Sequence, residues 1–157
     1  MWVLYNGYRP IYDSVYNQFS NSIKHTHTGL KLAERLHAAR GIAIGASFPQ
    51  LHLYNLDDSS VILPVFNKKN SYTVVDFWFS HCIPCRRQFP LYKKLYDTYK
   101  NEGFQIIGIS VDQTKNMKDW KKTIKDMDLD WQQYRDKDYK NADLLSIRRI
   151  PDKFFIR

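Results

Sequence analysis

The sequence predicts an α/β fold organised around a largely parallel sheet, with a helical leader in front of it. Three observations carry this. From Pro49 onward, strand-like and helix-like segments alternate, the order that a βαβ arrangement requires. Two segments, Val74 to Phe79 and Phe104 to Val111, are near-continuous apolar runs of the kind found in strands buried on both faces. Both cysteines of the chain, Cys82 and Cys85, fall where the first of these runs gives way to a helical pattern.

The 157 residues allow one domain with a substantial core and a smaller appendage. An apolar content of 43% and an aromatic content of 15%, with 11 Tyr, exclude wholesale disorder. No apolar run approaches the roughly 18 residues that span a bilayer, so no transmembrane segment is expected. Trp2 to Gly7 lack the basic start and apolar stretch of a secretory signal. The net charge of +8 is dispersed in pairs such as Lys68-Lys69, Arg86-Arg87 and Lys121-Lys122. Without a longer basic run or a binding motif, this reads as a solvated basic surface and not as a nucleic-acid footprint.

The leader, residues 1–44, carries Ile11, Val15 and Phe19 at one helical spacing and Leu30, Ala33, Leu36 and Ala39 at another. Thr28 is the expected N-cap of the second helix, with Gly29 beside it, and Gly41 its expected stop. Gly45 and Pro49 open the second region, residues 45–157. There Leu51 to Leu56 and Val61 to Phe66 are expected strands around an Asp57-Asp58-Ser59-Ser60 turn. A strand over Ser71 to Phe79 follows, then a helix after Cys82 with Phe89, Tyr92, Leu95, Tyr96 and Tyr99 on its apolar side, ending near Gly103. Next come a strand over Phe104 to Val111 and a helix over Lys115 to Met127, with Trp120, Ile124 and Met127 on one side. A short strand over Trp131 to Tyr134, a helix over Asp138 to Ile147 and a strand from Lys153 to Ile156 complete the order. Asp112 stands at the carboxyl end of its strand and reads as the start of a turn that caps the next helix. A ligand contact is the alternative, because open α/β sheets place their sites at that end.

The cysteines are the chemical signal. A bridge across two intervening residues closes almost no loop and stabilises little, so the pair is there for its reactivity. At the start of a helix, unpaired N–H groups and the macrodipole favour a thiolate, the reactive form. Ile83 and Pro84, between the two, tune that balance, and Pro84 removes an N–H where a helix tolerates the loss. A zinc knuckle also uses this spacing, but it requires two more ligands, and the five His form no second knuckle. No metal site is expected. His81 abuts Cys82 and either supports its thiolate or lines the rim.

Val75-Asp76-Phe77-Trp78, the Cys82-Ile83-Pro84-Cys85 motif, Arg86 and Pro90 together resemble the thioredoxin superfamily. Gly45 to Pro49 with Leu51-His52-Leu53, Gly103 to Asp112, and Ile150 to Ile156 resemble, more narrowly, its TlpA/ResA-like thiol–disulfide oxidoreductases, which are related to AhpC/TSA. The resemblance covers residue 45 to the end, and the leader resembles the linker before this domain in multidomain envelope proteins of Bacteroidetes-type bacteria. It implies a thioredoxin-like fold, a central mixed sheet flanked by helices. It also implies a further strand and helix after Arg157, so the chain is expected to be incomplete at its C-terminus.

By this resemblance Cys82 attacks, Cys85 resolves, and Asp76 takes and returns the proton of the second thiol, its pKa raised by burial. Pro151 is implied as a cis-proline beside the cysteines, with Ile150 pairing with the substrate's backbone. Trp78, His81, Ile83 and Pro84 complete the implied substrate contacts. Where the family carries Trp directly before the first cysteine, this chain has His81, which implies a different docking rim. The resemblance implies protein thiols and disulfides as substrates, an upstream thiol reductant, and no cofactor beyond the Cys82–Cys85 pair. It further implies a monomer in the envelope or periplasm, with cytochrome c maturation among the possible roles. The alternatives are a peroxiredoxin-like peroxidase, for which Ser80 lacks a preceding proline, and a truncated module that binds without turnover.

Overall fold

The computed structural model describes residues 8–43, 45–63 and 72–157. The leading residues 1–7, Val65 and Phe66 of the second expected strand, the Lys68-Lys69 pair and Ser71 lie outside the described residues. The chain divides into two compact units, Met1–Pro49 with Leu144–Ser146, and Gln50–Asp143 with Ile147–Arg157.

The first unit contains α1 (Pro10–Asn17), α2 (Asn21–Lys24) and α3 (His27–Gly41). Pro10 opens α1 where its missing N–H leaves nothing unpaired. The cap of α3 is Thr26, whose Oγ1 accepts the Gly29 N–H at 3.0 Å; the expected cap, Thr28, lies inside the helix. Gly29 is required for closeness, since a Cβ there would stand 2.2 Å from the Ile23 carbonyl oxygen and 2.7 Å from that of Lys24. The Arg40 guanidinium grips Asp13 through two 2.8 Å hydrogen bonds and so ties α3 to α1. The expected stripe on α1 stays in solvent at Ile11 and Val15, whereas α3 buries Leu36 and Ala39. Gly41 is the last residue of α3 and takes no positive φ, so the helix ends without a left-handed glycine cap.

The second unit is a six-stranded mixed sheet flanked by helices. Its strands are β1 (Leu51–Tyr54), β2 (Ser60–Leu63), β3 (Tyr72–Trp78), β4 (Phe104–Ser110), β5 (Gln132–Arg135) and β6 (Asp152–Ile156), in the order β2-β1-β5-β4-β3-β6. The centre, β5-β4-β3, is parallel, as the alternating sequence predicts. Antiparallel strands flank it, the β1–β2 hairpin on one side and β6 on the other. Asn55 builds the hairpin turn, its Oδ1 accepting the N–H groups of Asp57 and Ser59 at 3.0 and 2.9 Å, while Asp58 takes a left-handed φ of 59°.

Three helices interleave the strands: α4 (Ile83–Tyr99), α5 (Met117–Asp126) and α6 (Lys140–Leu144). Gly103, at φ 87°, supplies the left-handed turn between the end of α4 and β4. The last helix is shorter than expected because Tyr139 and Ser146, at φ 59° and 55°, break it on both sides. Period-two alternation points Val74, Asp76 and Trp78 to one face of β3. On that face Val74, Trp78 and Ile106 share a buried cluster with Phe89 and Tyr92 of α4, Trp120 of α5, Leu129 and Trp131. Phe89 meets Trp78 edge-on at 5.2 Å and Trp131 at 6.3 Å, which fixes α4 over the sheet.

Candidate active site

The buried strand β3 delivers the chain to the carboxyl edge of the sheet, where Phe79, Ser80 and His81 turn it into α4. Cys82 is the N-cap of that helix, its Sγ accepting the Cys85 N–H at 3.2 Å. Pro84 falls in the first turn, where no intrahelical acceptor awaits an N–H. Cys82 and Cys85 are joined in a disulfide with an S–S distance of 1.99 Å. Both are buried, whereas His81, Ile83 and Pro84 around them are exposed. The pair therefore sits below a rim, with the N-terminal N–H groups of a long helix beneath whichever sulfur becomes an anion.

Asp76 lies in the interior, 2% exposed. Burial pushes its pKa up to about 7, against the restraining Lys153 ammonium and a hydrogen bond from Tyr92, with a small further push from Asp152. The β3–β6 register sets Lys153 directly opposite Asp76. Lys153 Nζ donates to Gln88 Oε1 and to Tyr92 Oη, both at 2.6 Å, and Tyr92 Oη lies 3.4 Å from Asp76 Oδ1. Burial, followed by the neighbouring Asp76, raises the Tyr92 phenol in turn. A carboxyl that changes charge near neutrality thus stands on the face that α4 covers, with a polar line running from it to the partly exposed Lys153. The sequence predicts Tyr92 on the apolar side of its helix and does not single out Lys153 or Gln88; the antiparallel register of β6 brings in Lys153, and Gln88 lies one turn before Tyr92 on α4.

The Ile150–Pro151 peptide is cis, and Ile150 packs against the cluster that includes Cys82 and Cys85. Pro151 is half-buried beside it. Trp78 is placed beneath the site and away from its rim: it is 1% exposed, and its indole N–H donates to Gln133 at 3.3 Å. Gly108 makes room for that partner, since a Cβ there would stand 2.2 Å from Gln133 Oε1.

Asp112 differs from its reading as a helix cap. Its carboxylate turns back and accepts the Ser80 N–H, the Ser80 hydroxyl and the Ser110 hydroxyl, each at 2.7 Å. Two oxygens with three donors at hand are better satisfied there than at the exposed start of a short helix. The Ser80 hydroxyl is thereby committed to Asp112 and not to a ligand at Cys82. Among the described residues no group of three His, Cys, Asp or Glu side chains is placed to hold a metal ion. Nor is any helix among them long and apolar enough to cross a membrane.

The AhpC/TSA family model matches residues 44–157. A thiol-disulfide oxidoreductase ResA of Oceanobacillus iheyensis is 30% identical over 118 residues, covering 73% of this chain. The chain spans 59% of that relative's own length. The crystal structure of the thioredoxin domain of a thiol-disulfide oxidoreductase from Bacteroides vulgatus superposes with a TM-score of 0.61 at 33% identity, over 71% of this chain and 79% of that one. A thioredoxin-like protein from Bacteroides caccae reaches a TM-score of 0.72 over 94% of this chain and 52% of its own, at 17% identity, which speaks for the fold alone. The family model over most of the chain, together with the relative and the superposed thioredoxin domain, places the chain in the AhpC/TSA family as a TlpA/ResA-like member of the thioredoxin superfamily.

Proposed function

We propose that this chain is a thiol–disulfide oxidoreductase that reduces disulfides in protein substrates through Cys82 and Cys85. The observation that carries the reading is the Cys82–Cys85 disulfide at the N-cap of α4, in the same unit as a buried acid that titrates near neutrality. In the dithiol state the Cys82 thiolate attacks a substrate disulfide and forms a mixed disulfide. The Asp76 carboxylate then takes the Cys85 proton, and the Cys85 thiolate attacks Cys82 Sγ, releasing the substrate thiol and restoring the internal bond. The pair itself is the redox group, so no further cofactor enters the cycle. An upstream thiol donor reloads the site, and the exposed Ile83 and Pro84, with Ile150 and Pro151, form the surface on which a substrate strand lies.

The relatives' names support this class, and the buried Asp76 supports the proton step, while the reducing direction is the proposal's own. Placement in the cell envelope, a role in cytochrome c maturation and action as a monomer belong to the same proposal. Insulin reduction tests it: wild type should turn over, Cys82→Ser should abolish turnover, and Cys85→Ser should accumulate a mixed disulfide visible by mass. A wild-type chain that binds disulfide substrates without turnover would mark a binding module. Unimpaired turnover in Cys85→Ser would remove Cys85 as the resolving thiol, whereas a mixed disulfide trapped by Cys82→Ser and none by Cys85→Ser would reverse the order of attack. Equilibration with glutathione gives the direction, because a reductant stays largely oxidised in a buffer that leaves oxidants reduced.

A further inference from the structure

Ser80 has one hydroxyl proton, and the Asp112 carboxylate receives it at 2.7 Å. The Ser80 oxygen therefore turns a lone pair towards His81 Nδ1, 3.0 Å away, and Nδ1 must carry the hydrogen of that bond. In the neutral ring this leaves Nε2 bare. The ring belongs to the residue directly before Cys82, and its side chain is 63% exposed while both sulfurs are buried. The tautomer is thus fixed from the interior, and the basic nitrogen is on the open side.

The geometry points to His81 as the general base that ionises a thiol arriving at the disulfide, with Ser80 and Asp112 as its positioning residues. This inference rests on the exchange reaction proposed above and concerns its reloading half. His81 Nε2 takes the S–H proton of the incoming donor, and the resulting thiolate attacks Cys82 Sγ. A new S–S bond forms, the Cys82–Cys85 bond breaks, and its electron pair leaves on Cys85, which takes the proton of the Asp76 carboxyl. The donor sulfur is now oxidised into a mixed disulfide with Cys82 while Cys85 is reduced, and a second donor thiol attacks the donor's own sulfur, frees Cys82 as the thiol and leaves the donor pair as a disulfide. In the opposite direction the His81 imidazolium returns a proton to the sulfur that leaves the substrate. The titratable groups facing the ring are Asp112, through Ser80, from beyond the end of β4, and Asp119 from α5, its Oδ2 3.6 Å from Nε2; Cys82 is the next residue of the chain. Asp119 and His81 are both more than half exposed, so solvent screens their pairing.

Stopped-flow opening of the disulfide in the full chain, followed by tryptophan fluorescence, tests the assignment with two thiols. One, 2-mercaptoethanol, is protonated at neutral pH; the other, cysteine methyl ester, is ionised there to a large extent. His81→Phe should slow the first reaction about tenfold or more at pH 7, within the range of general-base catalysis, and leave the second unchanged. Its rate with 2-mercaptoethanol should rise log-linearly up to the thiol's own ionisation. Ser80→Ala should reproduce part of the loss, and Ser80→Thr should restore it. His81 is exposed, so His81→Phe carries the test even if the buried Ser80 variants fold poorly. Equal slowing with both thiols, or none with either, overturns the assignment. A wild-type disulfide that neither thiol opens removes the exchange reaction itself, and this inference with it.

Discussion

Asp76 experiences burial, which favours the neutral carboxyl, and Lys153, which favours the carboxylate; burial is the larger, and the outcome is a pKa of about 7. An unfolded chain holds the same group near about 3.9. The folded protein therefore binds this proton more tightly than the unfolded one. The sign follows: stability from Asp76 is fully present below about pH 4, declines as pH rises through 7, and is level above that. In urea unfolding of the disulfide form, wild type should lose roughly 4 kcal/mol across this window, an order-of-magnitude figure for about three pKa units. Asp76→Asn should lack the slope and exceed wild type above pH 7; parallel curves would remove Asp76 as the cause. Lys153→Met should raise the pH at which Asp76 titrates, read from its carboxyl carbon by NMR, and an unmoved titration would cut the link. The cysteine pair is legible in the sequence because its spacing is local, whereas Asp76 enters only through the family resemblance. Lys153 with Tyr92, and Ser80 with Asp112, are not legible, being separated by 61 and 32 positions and joined only by the sheet.

At the scale of elements, two glycines of one helix have opposite uses. Gly29 sits under backbone carbonyls of α2, which cannot step aside as a side chain would. Gly29→Ala should destabilise the first unit by roughly 1–3 kcal/mol despite the better helix propensity of Ala. Amide exchange should quicken over His27–Gly41 while β3 and β4 keep their protection. Gly41 has nothing within 4 Å of a Cβ, so Gly41→Ala should be neutral or gain up to about 1 kcal/mol in thermal melts. Most elements are legible from period and composition to within a few residues. The misplaced cap at Thr28 shows why ends are harder: Thr26 and Thr28 have the same side chain, and the choice depends on α2, too short to leave a periodic trace. The truncated α6 is of the same kind, since left-handed φ at Tyr139 and Ser146 has no glycine to announce it.

Across the second unit, the hairpin and the parallel centre are joined by Arg135, which is 0% exposed. Its guanidinium donates to Asp58 in the β1–β2 turn at 2.5 Å and to the Asp112 carbonyl oxygen at 3.4 Å, with the Trp120 ring 5.9 Å away. Asp58→Ala leaves a buried cation without its carboxylate, and should cost about 3 kcal/mol in chemical unfolding. An unchanged midpoint would mean that the Asp112 carbonyl and Trp120 suffice. The parallel centre is legible from two apolar runs, but the flanking order is not, because the strand from Lys153 onward carries no mark of direction. That strand has a consequence of its own. Ile150 and Pro151, which the proposed function gives to the substrate strand, are separated from Lys153 by a single residue, and Lys153 is the cation that restrains Asp76. Seating an unreactive peptide on the disulfide form should then shift protons between protein and buffer. Calorimetry near pH 7 would register this as heats that differ between buffers of unlike ionisation enthalpy, so that occupancy outside is recorded as acidity within.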